Sequence, residues 1–309
     1  MAVDLSPIDA DLLKTLTNVH GIPEGAYNIR KDGELLTRHN SANIEIETKT
    51  DNPGIDIYIK DGTKGERVYI PVIVSKAGLK DVVYNTFHIG EDCDVVIIAG
   101  CGIHNDSHKA SEHDGIHTFH IGKNSRVKYV ENHYGEGSGD GARILNPVTK
   151  VYQDENSFCE MEMVQIRGVT STVRDTDAEL GAGAKLILTE KLLTDGDQKA
   201  TSNMNIRLVG DDSNVQVISR SVAQDNSVQI FNPLVSGEAA CHGHVQCDAI
   251  IMGNAVVKAI PGIEAAHEDA QLVHEAAIGK IAGDQITKLM TLGLTEEEAE
   301  AEILDDFLS

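Results

Sequence analysis

From about residue 85 to 275 the chain alternates apolar and polar positions in short stretches, each introduced by a turn. HIGEDCDVVIIAG from His88, HIGKNSRVKYVEN from His120 and VYQDENSFCEMEMV from Val151 set the pattern. ELGAGAKLILTEK from Glu179, LVGDDSNVQVISR from Leu208 and IIMGNAVVKAIPGI from Ile250 continue it. Val215, Val217 and Ser219 alternate with Gln216 and Ile218, which is the period of a half-buried strand. The turns near Gly90, Gly122, Asp154, Gly181 and Gly210 lie 32, 32, 27 and 29 residues apart. Beyond them, turns at Asp225, Gly237, Gly253 and His267 follow at 15, 12, 16 and 14, so two short intervals make about one long one. A turn-and-strand unit repeated over this length, without helical crossovers, predicts a β-solenoid whose coils stack as parallel strands ~4.8 Å apart. A β-sandwich also spaces its strands closely, but it does not sustain a coil-length period.

The ends carry a different period. Ser6, Pro7 and Asp9 open a helix with Ile8, Leu12, Leu13 and Leu16 on one face. Near the other end Asp284 is placed to cap a short helix bearing Ile286, Leu289 and Met290, which Gly293 ends. Thr295 and Glu298 form a capping box for a last helix with Ala299, Ile303, Leu304 and Phe307. The expected organisation is an N-terminal helical segment (1–30), a β-helix core (31–281) and a C-terminal helical segment (282–309).

Composition narrows the chemistry. Of 309 residues, 49 are acidic and 26 basic, a net charge of −23 that disfavours binding to nucleic acid. No run approaches the length of a membrane-spanning helix. The acidic start MAVDLSPIDADLLKTL does not resemble a secretory signal, so a cytoplasmic protein is expected. Trp is absent and Gly numbers 28, which fits a core of small and β-branched residues. The odd count of 5 Cys favours free thiols or metal ligands over a disulfide framework.

Some signals point to chemistry and fail on context. No GxxxxGK[ST] phosphate loop occurs. Gly137-Ser-Gly139-Asp-Gly141-Ala142 matches GxGxxA, but an extended, Pro-interrupted stretch follows instead of a helix, so a mobile surface loop is expected. Between Cys101 and His120 the chain holds His104, His108, His113, His117 and His120, residue types that bind zinc or iron. Gly115 argues against a helix presenting His113 and His117 together, and a polar loop remains the plain alternative. A metal-dependent enzyme using the His104–His120 cluster is therefore a second functional reading. In Cys241-His-Gly-His-Val-Gln-Cys247 the two thiols share a strand face but lie about 20 Å apart. His274-Glu275 follows Cys247 by close to one coil, and only one of the two can share its side. With one Cys per chain there, four ligands would require a second copy.

The segment from Gly243 to Ile281, GHVQCDAIIMGNAVVKAIPGIEAAHEDAQLVHEAAIGKI, resembles the SufB/SufD family of iron–sulfur cluster assembly scaffolds. The likeness continues through DQITKLMTLGLTEEEAEAEIL and, more weakly, back through NPVTK and Cys101-Gly102. It implies a right-handed parallel β-helix and a separate ABC-type ATPase docking on Leu289, Met290, Leu294, Ile303 and Leu304. Cys247 matches the thiol implicated in holding a nascent cluster, Glu275 the carboxylate beside it and His274 its neighbour. Cys101 and His117 match loosely a Gly-Cys element followed by a His. Cys159 lies a few residues from a thiol that larger members place on the sulfur route. The resemblance is to the compact form, which implies a homodimer in a 2:2 complex. It also implies a transient Fe–S cluster, no nucleotide bound by this chain alone, and a scaffold rather than an enzyme; a purely structural partner of the ATPase is the third functional reading.

Overall fold

The computed structural model describes residues 5–308. Its elements in order are α1 (Pro7–Thr17), β1 (Ala26–Lys31), β2 (Glu34–His39), β3 (Ile44–Thr48), β4 (Gly54–Ile59) and β5 (Lys64–Val74). Then come β6 (Lys80–Ile89), β7 (Asp94–His104), β8 (Ser111–Ile121), β9 (Arg126–Glu136), β10 (Arg143–Leu145) and β11 (Val148–Gln153). The next strands are β12 (Phe158–Gln165), β13 (Ser171–Leu180), β14 (Lys185–Thr194), β15 (Lys199–Leu208) and β16 (Asn214–Ala223). The chain closes with β17 (Val228–Gly237), β18 (His242–Ile251), β19 (Val256–Ala259), β20 (Gly262–Ala265), β21 (Gln271–Gly279), α2 (Gly283–Thr291) and α3 (Glu296–Leu308).

Successive strands alternate between two sheets, which is the expected solenoid, of about eight turns. One sheet runs β2-β1-β5-β7-β9-β12-β14-β16-β18-β21 and the other β19-β17-β15-β13-β10-β8-β6-β4-β3, with β11 and β20 extending the lanes of β10 and β19. The register offsets from β7 to β9, β12, β14 and β16 are 32, 32, 27 and 29 residues, the same series as the turns. The turns themselves stack: Gly90, Gly122, Asp154, Gly181 and Gly210 each donate a backbone N–H to the coil before. Beside them Thr63, Cys93, Ser125, Ser157, Ala184, Ser213 and Cys241 form one buried column of small residues at the corner. Cys93 and Cys241 are thus corner residues, packed like the serines above and below them.

Inside the coils the facing side chains are mostly Val, Ile, Leu, Met and Phe, with Phe87 stacked on Phe119 at 4.4 Å. Pro147 and Pro261 lie where their lanes break, between β10 and β11 and between β19 and β20, whereas Pro71 and Pro233 lie within β5 and β17.

The two ends of the solenoid differ. At the N-terminal end, antiparallel β2 and β3 close the two sheets. α1 lies on the ten-stranded sheet with Leu12, Leu13 and Leu16 fully buried, while Ile8 stays 40% exposed. Its start is the expected one, with Ser6 and Asp9 reciprocally bonded as a capping box. β1 begins inside the segment expected to be helical. At the C-terminal end β21, β19 and β20 are terminal strands, and Val256, Ile260, Ile263, Val273 and Ile278 are exposed there. α2 starts without a side-chain cap, so Asp284 lies inside its first turn rather than before it. The Thr295–Glu298 box does form, and α3 reaches the ten-stranded sheet where Phe307 accepts a bond from Arg220.

Close stacking leaves Gly100 no room for a side chain: its φ is +149° and a Cβ would lie 2.1 Å from the carbonyl oxygen of Asn132. Gly100→Ala is expected to cost more than about 2 kcal/mol, whereas Gly196→Ala costs about 1. Gly196 has a φ of +55° and open space around it. Thermal unfolding of the two variants checks the difference, and equal shifts would contradict the stacking argument.

Candidate functional site

Alternation places some polar residues inside. In β9, Val127, Tyr129, Glu131 and His133 all point inward. Glu131 belongs to a row that runs Ala99, Glu131, Met163, Glu190, Ser219, Cys247, Ala276 across the ten-stranded sheet. Opposite it, the other sheet directs His113, Gly115, His117 and Arg174 inward. The solenoid therefore carries a polar seam, in which Glu131 and Glu190 are 2% and 5% exposed.

Arg174 holds the seam together. Its guanidinium pairs with Glu131 and, at 3.3 Å, with Glu190. It also donates to Nδ1 of His133 at 3.2 Å. Burial disfavours the charge on Glu131, yet His133, Arg174 and His117 together hold its carboxyl well below the usual range. For Glu190 burial prevails over Arg174 and the pKa is raised. Burial pushes His117 down to about 4 and His133 down to about 3, so both imidazoles are neutral. Tyr129 donates its hydroxyl proton to Glu131 at 2.9 Å and accepts from Nδ1 of His117 at 2.7 Å. A cavity of about 10 Å³ remains among Cys101, His113, Gly115, His117, Glu131 and His133. Cys101 is 1% exposed, and burial raises its pKa well above the usual thiol value.

The second region lies at the open end. Cys247 sits on β18, one strand in from the free edge, flanked by Ser219 and Ala276. It is 1% exposed, and burial, then Asp248 and Glu190, push its thiol up to about 11. His274 aligns with Val245 and so shares the inward face of Cys247, and its Nε2 is buried without a partner. Glu275 aligns with Gln246 on the outer face, where it lies 3.1 Å from Nε2 of His244. Within one chain, the residue on the side of Cys247 is therefore His274.

The remaining expected residues separate. Cys159 is buried in the apolar core, flanked in its row by Val127 and Leu186, and burial raises its pKa strongly. The five histidines of the 104–120 stretch occupy different surroundings: His113 and His117 point inward, and His120 stacks outside between His88 and Tyr152. His104 bridges Asp106 and Glu136, which raise its pKa against its partial burial. His108 pairs with Asp140 at the surface. The Gly137–Ala142 stretch is a loop, but it is stacked on the 105–110 loop, with Gly139 and Gly141 bonded to Asn105 and Ser107. Among the described residues no group of three or more His, Cys, Asp or Glu is arranged to hold a metal ion. On α2 no residue is buried and Met290 is 45% exposed, while Leu289, Leu294, Ile303 and Leu304 are half-buried. No helix is long and apolar enough to cross a membrane among the described residues.

Glu131, His133, Arg174 and Glu190 were not among the expected site residues. The available signal was parity: each is a polar residue at an inward position of an alternating strand.

The family model for the SUF system FeS cluster assembly SufBD core domain matches residues 74–307. An iron–sulfur cluster assembly SufBD family protein of Methanocaldococcus jannaschii is 27% identical, covering 91% of this chain and 89% of its own. A SufBD family protein of Archaeoglobus fulgidus is 26% identical over 91% of this chain and 73% of its own. One from Galdieria sulphuraria is 28% identical over 60% and 87%.

The seam makes stability depend on pH. In the unfolded chain His117 and His133 protonate near 6.5, whereas in the fold they resist to about 4 and about 3. Stability is thus full above that unfolded value and is lost as pH falls through the window, at up to about 1.4 kcal/mol per pH unit for each imidazole. Glu131 extends the loss to lower pH, and Glu190, held high, works the opposite way. Denaturant unfolding between about pH 8 and pH 5 should show this slope, and His133→Asn should flatten it. An unchanged slope in the variant would rule out His133 as a source.

Proposed function

Since the chain belongs to the SufBD family of iron–sulfur cluster assembly proteins, we propose that it is a scaffold that holds a nascent cluster without turning over a substrate itself. The observation that carries this reading is the position of Cys247, one strand from a free, apolar sheet edge inside the region matched to the family. Iron displaces the thiol proton, so a buried thiol with a raised pKa still ligates once the metal is present. His274 adds an unpartnered imidazole nitrogen on the same face. Glu275 adds a carboxylate on an exposed edge strand, reaching the cluster from the outer side or from a second copy.

A second copy is the natural occupant of the open end. β21 is a terminal strand with exposed Val273 and Ile278, while the opposite end is closed by antiparallel strands. Joining two open ends brings two sets of Cys247, His274 and Glu275 together, which supplies enough donors for a shared cluster. The ABC-type ATPase docks on the apolar faces of α2 and α3 through Leu289, Met290, Leu294, Ile303 and Leu304, giving a 2:2 complex in the cytoplasm. ATP-driven approach of the two ATPases then changes the exposure of the interface and releases the cluster.

Anaerobic reconstitution with ferrous iron and sulfide tests the site. Cys247→Ala should retain roughly a tenth or less of the iron and sulfide of the parent, and Glu275→Gln should be intermediate. Cys159→Ala should match the parent. Wild-type cluster content in Cys247→Ala would refute the assignment. Deleting residues 282–309 should abolish co-purification with the ATPase while leaving the solenoid folded.

A further inference from the structure

The C-terminal helix pair is held to the solenoid differently from α1. Whereas α1 is seated by the fully buried Leu12, Leu13 and Leu16, α2 buries no residue and α3 buries only Ala299 among the described residues. The main contact of the pair with the solenoid is α3 on β16. Gly279 and Gly283 bracket the connection from β21, each with open space around it, and α2 begins without a side-chain cap. Apolar burial is too small here to fix the position of α3. Charge does it instead. The sequence EEEAEAEILDDFL of α3 holds seven acidic residues and no basic one. Asp305 and Asp306 stand in its last turn, where the negative end of the helix dipole disfavours carboxylates and favours a cation. Arg220 supplies that cation from the solenoid. It lies half-buried on the outer face of β16, and its guanidinium donates to the carbonyl oxygen of Phe307 at 3.5 Å. Its neighbours in the row are Lys191, which pairs with Glu162 at 3.0 Å, and Asp248, which accepts from Gln246 at 2.6 Å.

We infer that Arg220 is an electrostatic latch that holds the α2–α3 pair against the solenoid in the free chain. A partner with a basic surface opens it by replacing Arg220 at the acidic end of α3. While the latch is shut, Ile303 and Leu304, about one turn before Phe307, stay half-buried. Opening frees them, and the glycine-bracketed connection is where the pair swings. The latch thereby regulates the docking proposed above, and its consequence for the ATPase rests on that reading, whereas the latch itself does not. Salt separates this device from an apolar contact. The Debye length is about 8 Å at physiological ionic strength and shorter above it, so added salt weakens a half-buried charge contact. Apolar packing is not weakened in that way.

Hydrogen–deuterium exchange of the full chain reads the latch. In Arg220→Gln, which removes the charge, the amides of residues 296–308 should exchange roughly fivefold faster than in the parent, with β14 and β18 unchanged. Arg220→Lys should stay near the parent, and the parent in about 0.5 M sodium chloride should move toward Arg220→Gln. Immobilised ATPase should capture Arg220→Gln roughly fivefold more tightly, because the helix pair is already open. Exchange in Arg220→Gln equal to the parent's, acceleration spread over the strands of the solenoid, or a parent indifferent to salt would each overturn the latch. Faster exchange with unchanged ATPase affinity would overturn its release by the partner. A parent that captures no ATPase would instead refute the docking reading, and exchange alone would then decide the latch.

Discussion

The structure depends on one constraint: each coil must repeat the backbone of the coil before it, one strand spacing away. Parallel ladders then place every inward side chain in a row with its counterparts above and below. A row tolerates only residues of compatible size and polarity, so the corner column is Thr, Cys, Ser or Ala throughout. The variation in coil length, from 32 to 27 residues, is taken up in the connections between strands. The strands themselves stay in register.

A charged residue placed in such a row cannot reach water, so its neighbours must answer it. Glu131 and Glu190 share a row, and Arg174 from the opposite sheet bridges them, with His133 and Tyr129 completing the bonds. The seam therefore selects one packing of the two sheets, since any slip would strand a buried charge. It also leaves a small void that an apolar lumen would fill, lined by Arg174, Glu190 and Ser202. Polar groups inside a solenoid thus serve both as a lock and as lining.

The constraint ends where the coils end. Antiparallel β2 and β3 close one end with charged and polar residues, as edge strands must to avoid further pairing. The opposite end keeps parallel edges and exposed aliphatic side chains, and Cys247 lies just behind them. A thiol there is shielded in the single chain yet close to any surface formed by joining ends.

The amino-acid sequence by itself determined the period, the turn positions, the helix caps at Ser6 and Thr295 and the family resemblance, because these rest on local backbone chemistry and short spacings. Parity also told which residues within one strand share a face. What it did not determine was the phase between strands. His274-Glu275 follows Cys247 by nearly one coil, and a single residue more or less in the connection exchanges which of them faces inward. Nor could it pair Arg174 with Glu131, 43 residues away, or with Glu190 on the facing sheet. Those meetings were decided by the tertiary structure, since only the stacked register and the facing of two sheets fix distances between residues that the chain leaves far apart.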